Sequence, residues 1–367
     1  MACHILYVIT KADLGGAQAN VYDLAVAFSH EYQVTLLVGE TGPLTERLVD
    51  KKVTVHVLPT LNRQINPISD LRAIFDLYRF FRKAKPKIVH AHSTKAGFLT
   101  RVATRLAGTR SIYTVHGWAF DLGAKFVRRA LVWPMEALAI PFTDQIVLVS
   151  QYDREFARKY WLPLRDGNCH HIPYGVRPSA PQARPGIKTK RPIVVMPARF
   201  MDQKDHETMI RAASLIHNRE FEIRFIGDGI RMEQCRKLVV DLGLEDKIKF
   251  LGARSDVPIQ LQSAHIFALI TRHEGLPISI MEAMRARLPV VATNVSGIAE
   301  EVEHGKTGLL AAYRDPTSVA NCLTTLIDSP EQRTQMGNAG YRKFIAEYVQ
   351  DRMFERYSTL YRSMLTN

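Results

Sequence analysis

Arg272–Leu310 reads RHEGLPISIMEAMRARLPVVATNVSGIAEEVEHGKTGLL. Two carboxylates, Glu274 and Glu282, stand eight residues apart in it. Proline is favoured at the first position of a helix, so a helix is expected to start near Pro277 or Ile278. Glu274 then sits in the loop ahead of the helix and Glu282 about one turn inside it. The amides near Gly275 and Leu276 become unpaired donors at a positive helix end, which suits an anion. The E-x7-E spacing alone fits a solvated surface helix equally well. Its neighbours favour a site. An apolar run, Ile266 to Ile270, leads into Glu274 and places it at the carboxyl end of a strand, where open α/β sheets bind ligands. A second apolar run, Pro289 to Ala292, and a polar loop from Thr293 to Gly297 complete a strand–loop–helix–strand unit.

Working outward, the same alternation fills both halves of the chain. In the second half, strands are expected at Ile193–Ala198, Ile223–Gly227, Ile248–Leu251, Val290–Ala292 and Leu309–Ala311. In the first half they are expected at His4–Thr10, Val34–Val38, Val53–Leu58, Ile88–Ala91, Ser111–Val115 and Ile146–Ser150. Alternating β and α elements imply parallel sheets covered on both faces. A chain of 367 residues suits two domains. Arg177 to Pro192 holds four prolines and little apolar residue, and reads as the linker. The expected division is 1–176, 177–345 and a C-terminal helix over 346–367 that crosses back to the first domain. Ala339 to Leu365 reads as one long amphipathic helical pattern.

Several short features sit at expected strand ends. Arg199 and Lys204, five residues apart, follow the first strand of the second half and suit two phosphates. Gly227-Asp228-Gly229 closes the next strand, as either a nucleotide-facing loop or an ordinary turn. Gly15-Gly16 lies between the first strand and helix; either it permits close backbone approach to a ligand or it is simply a turn. It is not G-x-G-x-x-G. His116 ends a strand in YTVHGW beside Gly117, and His90 and His92 lie in VHAHS at another strand end. No carboxylate or cysteine stands at metal-ligand spacing beside them, so no metal site is expected.

The formal net charge is +13, and Arg63 to Arg129 carries fourteen Lys/Arg against three Asp/Glu, a net +11. A solvated basic face, an anionic membrane, an anionic acceptor or nucleic acid each fits this. Ile68 to Arg82 reads as a basic amphipathic helix with Leu71, Ile74, Phe75, Tyr78 and Phe81 on one stripe, packed on the sheet or lying on a membrane. Trp118, Lys125, Arg128 and Arg129 repeat the aromatic-plus-basic theme and mark a candidate acceptor or membrane surface. Hydrophobic content of 46% and charged content of 23% are those of a soluble globular protein. Cys3, Cys169, Cys235 and Cys322 have no disulfide or metal spacing and read as cytosolic thiols. The apolar region Ala130 to Val149 is broken by Glu136, Asp144 and two prolines, and is a poor transmembrane span.

Taken in order, Gly-Gly-Ala-Gln at 15–18, VHAHS, YTVHGWAF, DQIVLVS, Arg199, Lys204 and E-G-L-P-x-x-x-x-E resemble the retaining family-4 glycosyltransferases of the GT-B fold, of the bacterial capsule, O-antigen or exopolysaccharide type. The resemblance covers nearly the whole length. It implies two Rossmann-like domains facing each other across a cleft. It also implies transfer of a sugar from a nucleotide diphosphate, a UDP-sugar by family habit, to a lipid-linked or oligosaccharide acceptor such as one on undecaprenyl diphosphate. The nucleotide sugar is a substrate, and neither cofactor nor metal is expected; the chain has no D-x-D pair. By resemblance, Arg199 and Lys204 hold the donor diphosphate. Glu274 contacts the transferred sugar, with Gly275, Leu276 and Pro277 beside sugar and phosphate. Glu282 binds the ribose, Gly16 admits the phosphates and His116 touches the sugar. The implied location is cytoplasmic, peripheral on the inner membrane face. Two departures stand out: Tyr174 and Arg177 replace the family's Asn and Asp in I-P-N-G-V-D, and Asp205 follows Lys204 where glycine is usual. A nucleotide-sugar 2-epimerase of the same fold is the rival enzyme reading. A basic nucleic-acid-binding protein is the non-enzymatic one, though no helix-turn-helix, zinc-finger or RNP pattern is present.

Overall fold

The computed structural model describes residues 3–62, 64–121 and 126–366. They form two compact units, one of residues 1–174 with 353–367 and one of residues 175–352.

In the first unit the order is β1 (His4–Ile9), α1 (Gly16–Phe28), β2 (Gln33–Val38), α2 (Pro43–Arg47), β3 (Val53–Val57), α3 (Pro67–Ala84), β4 (Ile88–His92), α4 (Thr94–Ala107), β5 (Arg110–Val115), α5 (Phe126–Ala139), β6 (Gln145–Leu148), α6 (Gln151–Lys159) and β7 (Cys169–His171). Seven parallel strands lie in the order β3-β2-β1-β4-β5-β6-β7. β1, β4 and β5 are buried almost throughout, as a parallel sheet covered on both faces demands. Pro67 opens α3, and the Asn66 side chain accepts from the Ile68 and Ser69 amides.

The helix of residues 68–82 presents a different stripe from the expected one. Ala73, Leu77 and Phe81 are buried, while Leu71 and Phe75 face out at 68% and 57% exposure. The sheet takes the i, i+4, i+8 row, and one side of the apolar sector overhangs it. The basic excess of residues 63–129 is also partly internal. Arg101 and Glu136 form a fully buried pair at 2.6 Å, with the guanidinium over the Tyr113 ring at 4.2 Å. Lys95 is paired with Asp70 at 2.6 Å.

In the second unit the order is β8 (Ile193–Pro197), α7 (His206–Ser214), β9 (Glu222–Ile226), α8 (Met232–Asp241), β10 (Ile248–Phe250), α9 (Val257–Gln262), β11 (Ile266–Leu269), α10 (Ile278–Arg285), β12 (Val290–Thr293), α11 (Ile298–Glu301), β13 (Gly308–Ala311), α12 (Pro316–Asp328) and α13 (Pro330–Glu347). Six parallel strands lie in the order β10-β9-β8-β11-β12-β13. The stretch expected to be a linker is built into this unit. Ala183 N–H donates to Ala286 O at 2.8 Å, and buried Arg333 donates to Pro185 O at 2.5 Å and to Ile187 O at 3.2 Å. The unit thus uses one amide and two carbonyls of this proline-rich stretch.

The C-terminal helical pattern is two helices, α13 and α14 (Gln350–Thr366). Val176 N–H donates to Tyr348 O at 2.8 Å and Gln350 N–H to Val176 O at 3.1 Å, which diverts the backbone from a continuous ladder. In α14, Met353, Tyr357, Leu360, Tyr361 and Met364 are buried in the core of the first unit with Tyr7, Leu24 and Phe28. No described helix is long and apolar enough to cross a membrane.

Candidate functional site

Each sheet reverses its winding once, between β1 and β4 in the first unit and between β8 and β11 in the second. The carboxyl ends of two such neighbours diverge to opposite faces and leave a crevice where open sheets bind ligands. In the second unit this crevice is walled by the residues after β8, Ala198 to Asp205, and those after β11, Ile270 to Pro277.

The two segments are tied together. Asp205 N–H donates to Ile270 O at 2.9 Å and Arg272 N–H to Gln203 O at 2.8 Å, and Lys204 bridges Thr271. Lys204 Nζ is paired with Glu274 Oε1. The Thr271 hydroxyl also lies 2.9 Å from that oxygen, and Thr271 N–H donates to Thr293 Oγ1 at the end of β12. The Lys204 and Glu274 side chains are only 17% and 10% exposed, so their charges are weakly screened. α10 is eight residues long with Pro277 at its N-cap, and its turn begins with Ile280 N–H donating to Pro277 O. The amides ahead of it lie outside the ladder, beside Glu274. Glu282 stands one turn in. Burial lifts its carboxyl above the ordinary value, with Arg285 acting in the opposite sense.

The structure thus brings Lys204, Glu274, Gly275, Leu276 and Pro277 together at one strand end. Arg199 follows β8 and is exposed. Gly227 and Asp228 have a structural task. A Cβ on Gly227, at φ +145°, would lie 2.2 Å from Ala198 O, and Phe200 N–H donates to Asp228 O at 2.9 Å. This turn braces the segment that carries Arg199. Asp205 is the N-cap residue of α7, buried and 3.3 Å from the Arg272 guanidinium, so it anchors the lysine loop. Among the described residues no group of three His, Cys, Asp or Glu is placed to share a metal ion.

Sequence reasoning missed Glu301. It is fully buried in α11, and among the described residues neither carboxyl oxygen has a hydrogen-bond partner. Burial, then the charges of Glu274 and Glu300, push it well above the ordinary value, against Lys343 and Lys204. In the run Glu300-Glu301-Val302-Glu303 it looks like a solvated charge.

In the first unit, Gly16 is the first residue of α1, after an extended Gly15. His116 is held at both ring nitrogens: Nε2 lies 2.9 Å from His92 Nδ1 and Nδ1 lies 2.5 Å from Tyr174 Oη. Burial drives its pKa down to about 3, so the ring is neutral. His90 belongs to the core, with Tyr361 Oη at 2.8 Å and Thr114 Oγ1 at 2.7 Å.

Trp118 is not a surface residue. It is 4% exposed, packs with Phe120 and Phe156, and donates Nε1–H to Asp153 O at 2.7 Å. The apolar cover of β5 and β6 needs its ring more than the surface does. Arg128 is exposed; Arg129 reaches Tyr160 Oη at 3.1 Å; Lys125 lies outside the described residues. The outward apolar groups of α5 are Phe126, Val127, Leu131, Trp133 and Leu138.

Comparison with known proteins gives this geometry its family. Residues 180–343 match the model described as "Glycosyl transferases group 1" and residues 15–175 the "Glycosyl transferase 4-like domain". The Escherichia coli UDP-Gal:alpha-D-GlcNAc-diphosphoundecaprenol alpha-1,3-galactosyltransferase is 31% identical over 86% of this chain and 85% of its own. The Escherichia coli O-antigen biosynthesis glycosyltransferase WbnH is 24% identical over 98% of both. The crystal structure of Anabaena HepE with UDP and glucose shares the fold at a TM-score of 0.84 and 19% identity, over 98% of this chain and 100% of that one. The chain belongs to the family-4 glycosyltransferases of the GT-B fold.

Proposed function

We propose that the chain transfers a hexosyl group from a UDP-sugar to a lipid-linked oligosaccharide acceptor with retention of anomeric configuration, without a metal. The observation that carries this is the shielded Lys204–Glu274 pair beside the free amides of α10, at the switch point of the second sheet. In this reading Arg199, Lys204 and the amides near Gly275 neutralise the charge that grows on the leaving diphosphate. Fixed donors of this kind lower a barrier because they need no reorganisation during the reaction. Glu274 accepts from the sugar's hydroxyls, Glu282 from the ribose, and His116 lies toward the sugar. The acceptor hydroxyl attacks the anomeric carbon on the face the diphosphate leaves. The carbon–oxygen bond to phosphate breaks, and the departing phosphate oxygen takes the hydroxyl proton. The similar galactosyltransferase, named for UDP-Gal and a diphosphoundecaprenol acceptor, supports this donor and acceptor class.

Membrane contact is part of the same reading. Ile68, Leu71 and Phe75 are exposed on α3 beside Arg72 and Arg79, and Phe126, Val127 and Leu131 on α5 beside Arg128. Exposed apolar groups flanked by cations suit the interface of an anionic bilayer, here the inner face of the cell membrane. The test is transfer of label from UDP-glucose, UDP-galactose, UDP-GlcNAc or UDP-GalNAc to bacterial lipid extract, with NMR of the new linkage. One donor giving an axial-type, retained product supports the reading; an inverted product, or dependence on an added divalent ion, overturns that part of it.

A further inference from the structure

Two glutamates, Glu136 and Glu301, are buried in this protein, and they are treated differently. Glu136 is closed on Arg101 at 2.6 Å and accepts from Tyr113 Oη at 3.1 Å. Glu301 has no such cover, since among the described residues both of its oxygens lack a hydrogen-bond partner. The two cations that act on it, Lys343 and Lys204, are engaged elsewhere. Lys204 is paired with Glu274, and Lys343 lies 3.2 Å from Glu303 Oε1 and donates to Glu300 O. A bare carboxylate is strongly disfavoured in such a place, so the group keeps its proton and is a neutral acid.

This acid is tied to the lysine loop. β12 pairs with β11, and beyond the end of that register Thr271 N–H donates to Thr293 Oγ1 at 3.0 Å. The Thr271 hydroxyl lies 2.9 Å from Glu274 Oε1, the oxygen that also meets Lys204 Nζ. Two residues past Thr293, Val295 O accepts from Ile298 N–H, the first amide of α11. After burial itself, the charge of Glu274 acts on Glu301 more strongly than that of Glu300, its neighbour in the chain. From the end of α13 the buried Tyr348 faces the same acids, and burial, then Glu301, keep its hydroxyl neutral. The charged pair at this strand end is thus Lys204 and Glu274, with Glu301 a silent third member.

A diphosphate that draws Lys204 to itself takes the cation away from Glu274. With Glu301 neutral, Glu274 is still the single carboxylate of the cluster and accepts from sugar hydroxyls. With Glu301 ionised, two carboxylates would oppose the incoming anion, and one of them would be driven to take up a proton.

We infer that Glu301 is a positioning residue of the donor site, holding a proton so that Glu274 stays ionised while Lys204 turns to the diphosphate. The inference rests on the proposed donor site. An arriving anion favours the protonated form of Glu301. Donor affinity is therefore whole below the folded pKa of Glu301 and falls as pH rises through it, with a proton taken up on binding in that range.

The test is calorimetric titration of the full chain with UDP from about pH 6 to 9, in two buffers of different ionisation enthalpy. Comparing wild type with Glu301→Gln cancels protons that belong to UDP. Wild type should lose about tenfold in affinity across the range and take up as much as one proton more than the variant. Glu301→Gln keeps a neutral group of the same shape. It should bind within about threefold of wild type at the acid end and hold that affinity as pH rises. Glu301→Leu, equally neutral, should give the same flat profile, so the result does not hang on one variant. A purely structural Glu301 leaves the profiles parallel and the proton counts equal. That outcome, with UDP binding still lost in Lys204→Ala, overturns the inference and leaves the donor reading standing. UDP binding indifferent to Lys204→Ala faults the donor reading itself.

Discussion

The two switch points present different chemistry on the same scaffold. At the ends of β4 and β5 the polar groups are neutral rings, His92 and His116, joined by a hydrogen bond to each other and through His116 to Tyr174, which follows β7. After β8, β11 and β12 they are ions and a buried acid: Lys204 with Glu274, Asp205 with Arg272, and Glu301. Neutral donors can bind a group that must arrive and leave with little change in charge. Fixed ions suit a group on which charge develops. The difference teaches that parallel sheets fix where a ligand sits, and the residues at the strand ends fix what happens to it.

The largest expected effect falls on the ionic side. Lys204→Ala should lower kcat/KM by about 10²–10³, the range for losing one preorganised charge in a transition state. It should also strand Glu274, so Glu274→Gln in the same background should recover part of the stability measured by calorimetry. Equal losses for Lys204→Ala and a surface control such as Lys237→Ala would erase the contrast.

The two regions should also fail at opposite ends of the pH scale. The buried histidines have folded pKa values below the ordinary 6.5, His116 at about 3. The unfolded chain takes up protons first, so their contribution is whole above about pH 6.5 and drains away as pH falls toward 3. Glu301 is the reverse case. Its folded pKa is raised, so its contribution is present below the ordinary glutamate range of about 4.3 and is lost as pH rises through the folded value. Calorimetric melts from pH 5 to 9 should show Glu301→Gln gaining on wild type as pH rises, with His92→Gln instead flattening the acid side. Parallel curves for the two variants would break the comparison.

Smaller effects sharpen it. Glu282→Gln should raise the donor KM about three- to tenfold with kcat nearly unchanged, since a ribose contact is the same in ground and transition states. Leu71→Ser with Phe126→Ser should reduce binding to anionic vesicles about tenfold in sedimentation, while transfer to a detergent-solubilised acceptor stays within about twofold.

Much of this was legible in the sequence. The apolar runs located the strands because a strand buried on both faces leaves no room for polar residues, and E-G-L-P placed Glu274 and the start of α10. Other features were not legible, for physical reasons. Trp118 amid cations reads alike in a core and at an interface, because the ring suits both and only packing decides. Lys95 and Arg101 counted toward a basic surface, but their partners Asp70 and Glu136 are distant in sequence. The His92–His116 contact joins adjacent strands, and periodicity carries no information on which side chains meet across them. Glu301 hides in an acidic run, since a carboxylate there is ordinarily solvated.

The account's central claim is that the donor diphosphate is held at the second unit's switch point, and a crystal structure with UDP tests it most directly. The account predicts phosphate oxygens within hydrogen-bond distance of Lys204 Nζ and of the amides near Gly275, with the ribose against Glu282. UDP bound elsewhere, or at this strand end with Lys204 still closed on Glu274 and touching no phosphate, would contradict it.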